Sequence, residues 1–395
     1  MKLLLYAWNA NNEQILADNL IKFGFEVIWF CEPCKHFTRD IELAAKMIPY
    51  IHQKNINAVI SFNYFPIISM ICDTCKIPYY AWIYDSPHFT LYARQVMLPC
   101  NHIGIFDKDM VHKLQGKGVQ TAFHIPLSVD ADCFEQVIRR AGRKESEMFQ
   151  SDISFVGSLY TDEHNYYNRL LEKQEQEQFD CMIRKQCFSY EVDYISEALV
   201  SGEIDIHVIQ EKMEQEGLML GEDYFADAED VLQAVVLEKK VTVEERRILL
   251  NRIAEKFGEQ YRLSLYSGSD LHEQPMLKKY HKGIVNYHKQ MPLVFSGSKI
   301  NLNFSLRSIH SGIPLRVLDI MACGGFVLSN WQPEIAEYFE EGKEIATFTG
   351  LEDCMDKISF YLTHDEERRL IAERGKKKVK DMFSYQEGLE KLFAI

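Results

Sequence analysis

The sequence predicts an α/β chain built from two doubly wound parallel sheets, the second interrupted by a block of helices. Three observations carry this reading. Short apolar runs rich in β-formers alternate with stretches of helical period through residues 1–135. The series fades into a polar, charged segment over 126–150 and restarts at Asp152. Within the second series, residues 163–257 carry helical patterns and no strand signal. Near-continuous apolar strands are what a parallel sheet covered on both faces requires.

Taken in order, the first domain (1–135) offers strands at Leu3–Trp8, Phe25–Phe30, Ala58–Asn63, Tyr79–Tyr84, His102–Phe106 and Ala122–Ile125. Asn12–Phe23 and Ile41–Lys54 supply helices between them. Residues 136–150 read as a linker. The second domain (151–384) offers Asp152–Gly157, Arg262–Tyr266, Gly283–Tyr287, Lys299–Phe304, Gly325–Ser329 and Ile345–Phe348. In its insertion, Thr242 followed by Glu245 has the spacing of a capping box and predicts a helix start there. Residues 385–395 predict a last helix packing back on the first domain. The whole is expected to be two facing Rossmann-like domains with a helical insertion in the C-terminal one.

Composition narrows the function. The 395 residues hold 44 Lys+Arg against 58 Asp+Glu, a formal net charge of −14. That balance argues against a nucleic-acid surface, which needs clustered cations. A hydrophobic share of 47% excludes a disordered chain. No apolar run reaches the ~18 residues of a membrane span, and Leu3–Trp8 is too short for a signal-peptide core. The expected location is the cytoplasm, with ten reduced cysteines. The pairs Cys31/Cys34 and Cys72/Cys75 invite a zinc site, but the topology puts them about a strand length apart, so buried thiols are expected. Asp130-Ala-Asp132 reads as a linker turn, and no metal is expected. Lys376, Lys377, Lys378 and Lys380 offer peripheral contact with an anionic membrane or, in the plainer reading, a solvated helix face.

Chemistry concentrates in SKINLNFSLRSIHSGIPLRVLDIMACGGFVLSN (298–330). A strand ends near Arg307, and Ser308, Ser311 and Gly312 lead to Pro314, expected as the first helical residue. Free N–H groups at that helix start suit an anion, and Gly312 lets one approach the backbone. Arg316 in the first turn opposes the macrodipole's preference, which points to an anionic ligand. Asp319 follows one turn deeper; the pair also fits an i,i+3 surface salt bridge.

This segment resembles the C-terminal half of GT-B glycosyltransferases of the group-1 type, in the branch with spore-maturation and flagellin-glycosylation relatives. The resemblance implies that Asp319 holds ribose hydroxyls of a nucleotide-diphosphate sugar, while Lys299, Arg307 and Arg316 neutralise its diphosphate. Many retaining relatives carry two Glu with seven residues between them; here Ser311 and Asp319 stand at those positions, so the first acid is missing. DISFVGSLY resembles the glycine loop of the donor domain, placing Gly157 beside the ligand. LYSGSD and GIVNYHKQMP resemble later donor loops and add Ser267 and Tyr287. IPYYAWIYDSPHFTLY and HIPLSVDADCF resemble the acceptor domain of the same branch.

The resemblance implies metal-independent glycosyl transfer with no cofactor besides the nucleotide sugar, onto an acceptor protein, glycan or small molecule. Asp85 is the expected base or positioning carboxylate and His88 the second candidate, in the loop after the fourth strand. Asp85 equally suits a helix cap before Pro87. Asn9, Asn11 and Asn12 line the acceptor side or form a turn. The rival reading is a non-catalytic scaffold on the same fold. A dinucleotide-dependent oxidoreductase lacks the Gly-X-Gly-X-X-Gly it needs after LLLYAW.

Overall fold

The computed structural model describes residues 1–161, 165–202, 206–218 and 221–394. Six strands form the first sheet: β1 (Lys2–Tyr6), β2 (Glu26–Phe30), β3 (Ala58–Phe62), β4 (Tyr79–Ile83), β5 (Asn101–Ile105) and β6 (Ala122–His124). They lie parallel in the order β2-β1-β3-β4-β5-β6. The central β3 and β4 are buried at every position, as AVISF and YYAWI require when helices cover both faces.

The second sheet holds β7 (Ser151–Val156), β8 (Leu263–Tyr266), β9 (Ser298–Asn303), β10 (Val327–Asn330) and β11 (Ala346–Phe348). Its order is β11-β10-β9-β7-β8, again all parallel. Gly283–Tyr287 is not a strand. Gly283 takes φ +81° and its carbonyl accepts from Ser267 N, so the chain turns away after one bridge between Leu265 and His281.

Between β7 and β8 the insertion folds around its own core of Leu232, Val236, Val241, Ile195 and Leu199. The helix Ala228–Val231 passes through a π-helical segment, Leu232–Leu237, into the helix Glu238–Phe257. Thr242 therefore starts no helix: its Oγ1 donates back to Glu238 O at 2.9 Å, four residues earlier. The insertion also grips the first domain, where Lys113 and Lys117 reach Asp230 at 2.5 and 2.7 Å.

Asp130 opens a helix rather than a turn. It caps Ala131–Arg140 by accepting from Cys133 N at 2.9 Å. Asp132 pairs with Lys380, while Lys376 and Lys378 face Glu135 and Glu344. The last helix, Tyr385–Phe393, lays Tyr385, Leu389 and Leu392 against Leu3, Leu5 and Trp82 of the first domain. All ten cysteines are free. No described helix is long and apolar enough to cross a membrane.

Candidate active site

The two sheets meet along loops at the C-terminal ends of their strands, where open α/β sheets bind ligands. After β9 the chain enters the helix Leu315–Ala322. Pro314 precedes that helix rather than starting it: its φ of −61° suits a helix, but its ψ of 142° is extended. Asp319, 1% exposed, stands one turn in. Its Oδ1 accepts from the Tyr287 hydroxyl at 2.7 Å and its Oδ2 from Arg316 Nη1 at 3.1 Å. Burial pushes the Asp319 carboxyl up to about 6, against the opposing pull of Arg316 and Tyr287. Asn12 of the first domain donates to the Tyr287 hydroxyl at 3.4 Å, and His288 Nε2 donates to Asn11 O at 2.7 Å. The loop carrying Tyr287 thus straps the acid to the first domain.

Arg307 does not face this crevice as a free cation. It lies buried under the insertion, where Nε and Nη2 donate to Glu245 at 2.9 and 2.5 Å. Nη1 donates to Ser189 O and Nη2 also to Gln186 O, so four of its five N–H groups are engaged within the protein. Arg246, the residue beside Glu245, is a cation that the sequence pattern does not single out. It is buried, donates to Ser158 O and Phe304 O, and among the described residues its Nε has no partner. Burial and the nearby Arg316 charge hold its guanidinium below the usual arginine range. Arg246 thus lies against the loop after β7, within reach of the Arg316 charge. The only sequence signal for it was the Arg246-Arg247 doublet within a helical stretch, which does not show which face is buried.

Lys299 lies at the opposite end of the sheet from the position expected of a diphosphate ligand. As the second residue of β9 it pairs with Asp152 at 2.9 Å at the start of β7, about a strand length (~17–20 Å) from the crevice edge. Gly312 approaches protein, not an anion: a Cβ there would lie 2.7 Å from Phe106 O. Gly157 donates its N–H to Tyr266 O at 3.0 Å, and a Cβ there would lie 3.1 Å from the Phe155 ring. Ser267 is buried, its N–H on Gly283 O and its Oγ accepting from Ser269 N.

Ser311 forms the centre of a domain seam. Its Oγ lies 2.9 Å from Asp107 Oδ1 and 2.8 Å from Glu334 Oε1. Asp107 Oδ2 accepts from His310 N at 2.7 Å, and Glu334 Oε2 meets His124 Nε2 at 2.8 Å. The absent acid at position 311 is thus surrounded by two buried carboxylates, one from each domain.

Asp85 is exposed after β4 and accepts from Asn63 Nδ2 at 2.6 Å. It caps no helix, since the following 3-10 turn Phe89–Tyr92 has no side-chain cap. His88 Nε2 faces Tyr64 N at 3.0 Å and Thr90 Oγ1 at 2.7 Å, so that nitrogen is already engaged. Burial pushes His88 down, with Asp85 opposing. Ser86 Oγ donates to Ser308 O at 2.6 Å, joining this loop to the one after β9.

A cavity of about 280 Å³ opens between the insertion and the loops after β9 and β10. Asp193, Glu238 and His310 place ligand-type atoms there within 4.8 Å of one another. His310 Nε2 lies 2.8 Å from Glu238 Oε1, and that carboxylate raises His310 to about 10, so a metal binding there would have to displace the proton of the pair.

Residues 245–394 match the family model described as glycosyl transferase-like. An uncharacterized protein of Aquifex aeolicus (strain VF5) is 29% identical over 126 residues, 31% of this chain and 31% of its own length. The match thus spans about a third of that curated relative. Among solved structures, Anabaena HepE in complex with UDP-glucose superposes with a TM-score of 0.59 at 10% identity, over 100% of both chains. Sucrose-phosphate synthase of Thermosynechococcus elongatus gives 0.56 at 9% identity, over 99% of this chain and 97% of its own. A glycosyltransferase from Rickettsia africae ESF-5 gives 0.54 at 10% identity, over 99% and 96%. The chain has the GT-B glycosyltransferase fold, and its residues 245–394 are similar to a glycosyl transferase-like domain.

Proposed function

We propose that this protein transfers a glycosyl group from a nucleotide-diphosphate sugar to an acceptor hydroxyl without a metal ion. The observation that carries the reading is the cluster Asp319, Arg316 and Tyr287 at the crevice edge, with Arg246 buried nearby. A leaving diphosphate gains charge as the glycosidic bond breaks, and fixed guanidinium groups in a low-dielectric crevice favour that state over the ground state. Arg316 and Arg246 take this role in our reading, in place of Lys299 and Arg307. Asp319 accepts ribose hydroxyls once Tyr287 releases its Oδ1. Asp85 acts as base or positioning carboxylate, because it is the exposed acid on the loop that reaches the second domain through Ser86. Placement in the group-1 branch with spore-maturation and flagellin-glycosylation relatives, and an acceptor that is a protein or glycan, extend the same proposal.

Thermal stabilisation by UDP-, GDP- and dTDP-sugars tests it, since a ligand bound only by the folded state raises stability by mass action. At least one donor is expected to stabilise the protein and to be hydrolysed slowly. Turnover should drop in Arg316→Ala and Asp319→Ala. Calorimetry that detects no nucleotide binding overturns the reading. The hydrogen-bonded seam over Ser311 favours a second one, a non-catalytic scaffold or binding protein, and the same experiment separates the two.

A further inference from the structure

The 280 Å³ cavity has a chemistry distinct from the crevice around Asp319. Four carboxylates line it, from Asp109, Glu191, Asp193 and Glu238, against the cations Arg307 and His310. The Arg307 charge is already met by Glu245. The wall is therefore acidic and disfavours a phosphate.

Its wall offers carboxylate acceptors from Asp193 and Glu238 and donors in the Tyr190 hydroxyl and the Trp331 indole N–H. Glu238 is 3% exposed, and among the described residues its Oε2 has no hydrogen-bond partner. A buried carboxylate oxygen without a donor is costly, and a ligand hydroxyl that reached this enclosed atom would relieve that cost. The amides nearby are occupied: Asn330 Oδ1 accepts from Ser305 N, and Gln332 Nε2 donates to Ile309 O. The wall also carries apolar surface, including Ile195 and the half-buried Trp331. A bare cation has no use for such a surface, whereas a ring with C–H faces and hydroxyl donors uses both kinds of wall.

We propose that this cavity binds a neutral sugar ring, its hydroxyls donating to Glu238 and Asp193 and its apolar face against Trp331. Its role as the acceptor's seat rests on the transferase reading above; the binding itself does not. Asp109 carries the rim into the first domain, and the π-helical segment just before Glu238 sets that side chain into the wall.

Saturation-transfer NMR on the full chain tests this, with methyl glucoside, methyl galactoside, methyl mannoside and N-acetylglucosamine as probes. At least one is expected to receive saturation. Its affinity should fall about tenfold or more in Glu238→Gln and in Trp331→Ala, with folding checked by circular dichroism. Trp331→Ala decides the matter if Glu238→Gln does not fold. The proposal is overturned if no probe binds, if binding is unchanged in either folded variant, or if calorimetry finds Mn²⁺ bound through Glu238 and no sugar. Saccharide binding without nucleotide-sugar binding overturns the transferase reading alone. Nucleotide-sugar turnover without saccharide binding overturns the cavity alone.

Discussion

Tyr287 donates its phenolic hydrogen to Asp319 Oδ1 at 2.7 Å, although one side chain comes from a loop and the other from the helix Leu315–Ala322, 32 residues further on. Asp319 is almost without solvent, and that burial raises its carboxyl from 3.8 to about 6 against the opposing pull of Arg316 and Tyr287. A group that binds its proton more tightly in the folded state stabilises fully below its unfolded value. That stabilisation is lost as pH rises through the folded one. The difference of about two units corresponds to about 3 kcal/mol. Asp319→Asn carries no such titration. Its stability relative to wild type should therefore rise by about that amount between roughly pH 4 and pH 7, read by urea denaturation. A pH-independent difference between the two proteins would contradict the burial argument.

Arg307 and Glu245 are expected to act as a structural clamp between the second sheet and the insertion. Arg307→Ala leaves Glu245 buried without its cation, which costs about 3–5 kcal/mol. Replacing both, Arg307→Met with Glu245→Leu, removes the two charges together and should recover more than half of that loss. Denaturant unfolding of the three proteins measures it. A single variant as stable as wild type would show that the pair carries no structural load.

The sheets were readable because their strands are apolar on both faces; β3 and β4 differ from expectation by a single terminal residue. Gly283–Tyr287 looked like a strand for the same reason. Yet Ile284 is 77% exposed, and the left-handed Gly283 turns the chain away from the sheet. A capping box spelled by Thr242 and Glu245 is only a local pattern, and it cannot show that a helix has already been running since residue 228. The candidate site was readable only where its partners are local. Arg316 and Asp319 are three residues apart on one helix, so sequence paired them. Glu245 is 62 residues from Arg307, and Asp107 and Ser311 belong to different domains. Tertiary structure alone brings these carboxylates to their partners.

Lys299 provides a control for the crevice. It pairs with Asp152 at the far end of the sheet, and both side chains are partly exposed. Lys299→Ala is expected to change stability by about 1 kcal/mol or less. Nucleotide-sugar binding, followed by calorimetry, should stay at the wild-type value, while Arg316→Ala weakens it. A loss with Lys299→Ala equal to that with Arg316→Ala would return the diphosphate site to the position expected from sequence.

Ser311 is expected to control how readily the two domains part. Its hydroxyl lies between Asp107 and Glu334, and a ligand reaching Asp319 must first displace contacts across the same crevice. Ser311→Ala removes that link and leaves Asp107 free to keep its cap on Met110 N. Losing the link weakens the closed form by about 1–2 kcal/mol, the usual cost of an unmet buried hydrogen bond. That shifts the open population up by about tenfold if the domains are two-state. Small-angle scattering should then give a larger radius of gyration for Ser311→Ala than for wild type. A nucleotide sugar that enters through the open form should bind with higher apparent affinity, because less free energy goes into opening. An unchanged radius together with unchanged affinity would mean that Ser311 fills space in the seam without holding it shut.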